Sequence, residues 1–107
     1  MYWKKGLYTK EIPGHKIKNT ISKIRAGKGV PHIYVIAIAP DSEGLMEIIP
    51  SFVLCQRDYP KSQLKIIGLA RHKRNACTLV CHLIGKIFEE TNTVNVKEYF
   101  ADAVFSA

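Results

Sequence analysis

The chain has 107 residues, a net charge of +7 and 47% apolar residues, which fits one domain with its own core and excludes a disordered polyelectrolyte. Three cysteines are an odd number for a disulfide framework, and the longest uninterrupted apolar run, 33–39, is far short of a membrane span. With no apolar signal-peptide core after Lys4 and Lys5, the expectation is a soluble, cytoplasmic protein with free thiols and no membrane partner.

Along the chain the charge is uneven. Residues 1–31 carry eight bases (Lys4, Lys5, Lys10, Lys16, Lys18, Lys23, Arg25 and Lys28) against Glu11, a balance of +7, whereas residues 32–107 carry eight bases and eight acids and balance to zero. The expected organisation is a single domain, 1–107, with a basic N-terminal segment and helix (1–31) on a charge-neutral α+β body (32–107).

Residues 1–13 mix Tyr2, Trp3 and Tyr8 with lysines and show no clear period. Pro13-Gly14 breaks the chain before a helix over 16–26, where Ile17, Ile21 and Ile24 recur at helical spacing and Gly27 and Gly29 supply the stop. After Pro31, residues 32–39 read as a strand so apolar that both its faces are expected to be buried. A turn at 40–44 and a returning strand at 45–49 complete a hairpin. Periodicity does not decide between a short helix and an irregular edge at 51–57.

A loop at 58–62 leads to a third strand, 63–70, with Ile66, Ile67 and Leu69 as core candidates. The strongest helix signal covers 75–91, with an inner face of Ala76, Val80, Leu83, Ile84 and Ile87 flanked by Cys77, Leu79 and Phe88. Asn95 is placed to cap a last short helix at 96–100. This order predicts an α+β fold: a small two-layer sandwich of about three mainly antiparallel strands covered by two main helices.

The first helix is basic and amphipathic, and Lys16, Lys18, Lys23, Arg25 and Lys28 around its isoleucine stripe are candidate phosphate contacts. The bland alternative is a solvated lysine face. A second cluster, Arg71-His72-Lys73-Arg74, precedes the strongest helix, where positive charge opposes the helix dipole and a bound anion would relieve the conflict. Arg71, Lys73 and Arg74 therefore extend the candidate patch, although residues 68–74 lack the glycine-rich phosphate-loop spacing. Tyr2, Trp3 and Tyr8 are candidates for stacking on bases, and equally for core or interface roles.

Other chemistry is thinner. Cys77 and Cys81 lie one helical turn apart, but a structural zinc site needs four ligands, and beside an apolar face they read as small hydrophobes. His82 is expected on the outer side of its helix, and Asp41, Glu43 and Glu47 read as a solubilised hairpin tip. No catalytic residue, metal or cofactor is assigned. The expected function is a non-enzymatic binding module whose basic segment contacts nucleic acid or another polyanion. The alternatives are a protein-interaction or self-association module, using the N-terminal helix and aromatics, and a small enzyme with an unrecognised site.

Overall fold

The apolar run after Pro31 becomes β2 (Ile33–Ile38), and the hairpin expected from the sequence forms, with β3 (Met46–Pro50) antiparallel to it. The computed structural model describes residues 1–40 and 45–107, so Asp41 and Glu43 of the acidic cluster lie outside the described residues. On its other side β2 pairs antiparallel with β4 (Lys65–Arg71), whose residues 66–70 are all buried. Two strands were not foreseen. β1 (Tyr2–Lys10) pairs parallel with β4, and β5 (Phe105–Ser106) pairs antiparallel with β1. The described residues thus form a five-stranded mixed sheet in the order β3-β2-β4-β1-β5.

Four helices join these strands: α1 (Gly14–Arg25), α2 (Ser51–Leu54), α3 (Lys73–Thr91) and α4 (Val96–Tyr99). They cover both faces of the sheet, which replaces the expected three strands under two main helices. One core cluster holds Ile24 of α1 and Leu54 of α2 against Trp3, Val35, Ala37, Ile66 and Leu69. The other holds Leu79, Leu83 and Ile87 of α3 and Val96 of α4 against Ile36, Ile38 and Ile67. Alternation along β2 sends successive side chains to opposite clusters, so an apolar residue at every position has a place to go. Each fully buried Ile or Leu contributes about 1.5–3 kcal/mol.

Two irregularities shape the sheet. Opposite β2, the register slips between Ile36↔Gly68 and Ala37↔Ile66, so Ile67 is an extra residue that points into the α3 cluster. Opposite β1, the register jumps from Trp3↔Ile66 to Tyr8↔Gly68, which throws residues 4–7 out of the ladder around Gly6 at φ +72°. The bulge hides the period-two pattern of β1. Gly68 itself is tightly enclosed: a Cβ there would sit 3.1 Å from the Tyr8 carbonyl oxygen and 3.5 Å from both Ile36 and Leu79.

Ser51 ties the segment before β2 to α2. Its fully buried hydroxyl donates to the Val30 carbonyl at 2.7 Å and accepts from the Val30 N–H at 2.9 Å. At the far end, the Asn95 side chain accepts from the Glu98 N–H and caps α4, as its sequence position implied. Ser51→Ala leaves both Val30 backbone groups without that partner and is expected to cost about 1–3 kcal/mol in urea unfolding. An unchanged midpoint would show that water replaces the hydroxyl.

Candidate polyanion interface

The isoleucine stripe of α1 seats the helix on its core cluster, with Ile24 buried, Ile17 and Ile21 half-buried, and Thr20 buried and bonded back to the Lys16 carbonyl. The bases lie along both edges of that stripe. Lys16 and Lys23, seven residues apart, share one edge; Lys18 and Arg25, also seven apart, share the other. Lys28 follows just beyond the helix and is exposed.

On the Lys18–Arg25 edge, α1 and the β1 bulge enclose a cleft of about 640 Å³. Its lining carries four bases, Lys4, Lys5, Lys18 and Arg25, and no Asp or Glu side chain. Lys5 reaches it because the bulge carries residues 4–7 away from the ladder; Lys4 also lines it, but its ammonium is bonded to the carbonyls of Lys5 and Gly6 and lies over the Tyr8 ring at 5.1 Å. Neither lysine was singled out as a site residue from sequence; the nearby Gly6 was the available signal. Arg25 lies over the Trp3 ring at 5.6 Å and donates to the Ala107 carbonyl.

On the Lys16 edge, a smaller cleft of about 270 Å³ opens at the C-terminal ends of β1 and β4. Lys16 and Arg71, from the two separate basic clusters, both line it, together with Glu11 and His32. Three non-glycine residues with positive φ surround this end of the sheet: Glu11 at 59°, His32 at 66° and His72 at 68°. The His72 N–H donates to the His32 carbonyl at 2.6 Å, and the two imidazole centroids are 5.0 Å apart. Such backbone conformations are costly for residues other than glycine.

The N-termini of α1 and α3 both begin at this edge, because β1 runs into α1 and β4 into α3. Neither helix has a side-chain cap or an acidic residue in its first turn. Lys73 and Arg74 instead occupy the first turn of α3, which starts two residues earlier than the sequence suggested. Their charges therefore face the positive end of the helix dipole. Among the described residues, none of Lys16, Lys18, Lys23, Arg25, Lys28, Arg71, Lys73 and Arg74 is within ion-pair distance of an Asp or Glu side chain.

The aromatic candidates do not form a platform. Trp3 is 4% exposed, in the α1 core cluster. Tyr8 packs against the opposite cluster, edge-on to Phe100, with the ammonium groups of Lys4 and Lys86 over its ring. Tyr2 is exposed, so it is the one of the three whose ring is open to a ligand without repacking.

The other polar candidates stay apart. Cys77 and Cys81 are exposed on α3, rather than packed beside its inner face, and His82 is exposed beside them. Among the described residues no group of three His, Cys, Asp or Glu side chains is arranged to hold a metal ion. No described helix is long and apolar enough to cross a membrane. Comparison with protein-family models, with curated proteins and with solved structures finds no match to the chain.

The three thiols differ in environment. Burial raises the Cys55 thiol pKa, partly countered by the Lys61 charge, and its sulfur lies 3.9 Å from the Ile24 carbonyl oxygen. Reaction with a thiol-specific disulfide reagent near pH 8 is therefore expected to show two fast cysteines, Cys77 and Cys81, and one slow one. Three equal rates would show that the α1–α2 side of the core opens readily.

Proposed function

We propose that this protein is a non-enzymatic binding module that holds nucleic acid or another polyanion by its phosphates along α1. The observation that carries the reading is the cleft between α1 and the β1 bulge, which holds Lys5, Lys18 and Arg25 and no Asp or Glu side chain in its lining. Bases without carboxylate neighbours leave their field open to an external anion, and each neutralised phosphate releases counterions. Lys16 and Arg71 extend the positive surface to the strand-end edge. There the uncapped N-termini of two helices add donors suited to phosphate oxygens. Contacts of this kind fix position and carry no base sequence, so binding with little sequence preference follows from the reading.

The test is anisotropy of labelled oligonucleotides across a salt series with the full chain. Deleting residues 1–31 is no control, because β1 lies inside the sheet and its loss breaks the fold. Lys5→Ala and Lys18→Ala are suitable single variants, since both side chains line the cleft and both residues are exposed. Each is expected to lower the slope of log K against log salt by about 0.9 on duplex or about 0.7 on single strands. Lys61→Ala, on the loop before β4, should change the slope far less. Absence of binding at low salt, or equal losses for all three variants, rejects the proposal.

A further inference from the structure

The apolar arc of α3 is wider than the sheet requires. Ala76, Leu79, Leu83 and Ile87 are buried against the strands, and Val80 is half-buried. Beyond Val80 the arc continues onto the outside of the helix. Cys77, Cys81, Ile84 and Phe88 are all exposed there, Ile84 by 36% and Phe88 by 53%. Their spacing of four, three and four residues places them in a single line, the spacing of a seam between two packed helices. Gly85 beside the line has no atom within 4 Å of the place a Cβ would take, so another backbone has room to approach.

The charges on α3 say which way such a neighbour runs. Lys73 and Arg74 occupy the first turn, and Glu89 and Glu90 lie near the last. Tyr99 donates its hydroxyl to Glu90, which occupies that carboxylate and pushes the phenol pKa up to about 12. Among the described residues Glu89 has no hydrogen-bond or ion-pair partner, and Lys86 is turned toward the Tyr8 ring, away from the line. A second α3 laid antiparallel brings its acidic end to the basic end of the first, with the helix dipoles also opposed; a parallel arrangement brings like charges together. On the helix circumference Arg74 and Glu89 lie toward the same side of the seam, the side on which an antiparallel partner presents its own copies.

We propose that the protein forms a two-fold symmetric dimer through the Cys77–Cys81–Ile84–Phe88 line of α3, with Arg74 of each chain facing Glu89 of the other. The interface is isologous, as a two-fold dimer requires.

Sedimentation equilibrium of the full chain with a thiol reductant tests this. The expected result is a concentration-dependent species of twice the 12.1 kDa chain mass. Ile84→Glu/Phe88→Glu should be monomeric, with the far-ultraviolet circular dichroism and unfolding midpoint of the parent monomer. Arg74→Glu should raise the dissociation constant roughly tenfold, because two symmetry-related pairs become repulsive. Arg74→Glu/Glu89→Arg should restore it. A chain that stays monomeric up to about 1 mM overturns the proposal, and the line is then a surface for a different protein. A dimer indifferent to both the glutamate pair and the charge reversal overturns it equally.

Discussion

The parallel pairing of β1 with β4 is the contact on which the rest of the molecule depends. Tyr8, Thr9 and Lys10 run alongside Gly68, Leu69 and Ala70, so the two strands end together. β1 then leads into α1 on one face and β4 into α3 on the other. Adjacent parallel strands whose helices depart to opposite faces leave a crevice outside their C-terminal ends, where α/β sheets commonly take ligands. The pairing also explains Gly68. A Cβ there would meet the Tyr8 carbonyl oxygen at 3.1 Å, so the β1 backbone would have to give way slightly to any larger residue.

Charge follows from this topology. Lysines and arginines distant in sequence arrive at one edge because two strands end there, and the bulge in β1 brings Lys5 to the cleft of Lys18 and Arg25. Like charges brought this close repel one another and weaken the fold slightly. A bound polyanion reverses that sign, which links the proposed function to stability: ligand should raise the unfolding midpoint. The proposed dimer uses the opposite face of the sheet. With α3 at the symmetry axis, the α1 clefts remain outside the interface, two per assembly, on the far side of each sheet.

Much of the body was legible from local pattern. The β2–β3 hairpin, the strand at β4, the long helix α3 and the Asn95 cap all rest on short-range signals: apolar runs, turn residues, helical spacing and a capping side chain. β1 was not legible, because its four-residue excursion breaks the period and parallel pairing with β4 involves residues some sixty positions away. The layer count was missed for a related reason. Continuous apolar runs in β2 and β4 implied two covered faces, but helical spacing alone does not say which face a helix takes. The candidate site was partly legible: the bases of α1 and the Arg71–Arg74 cluster were visible as charge, while Lys5 joined them only through the bulge.

By itself, the sequence determined which segments become helix or strand wherever burial has a period, and that positive charge concentrates before residue 32. These are properties of neighbours along the chain, set by side-chain spacing and by glycine, proline and capping residues. Tertiary structure decided that the basic segment supplies a strand inside the sheet, that Trp3 is core while Tyr8 faces the other way, and that Lys16 and Arg71 share a cleft. It also decided which half of the α3 arc is buried, leaving Ile84 and Phe88 outside and Leu79 within. The physical reason is that an apolar arc on a helix records how much surface wants cover, whereas the width and register of the sheet beneath decide how much of it receives cover.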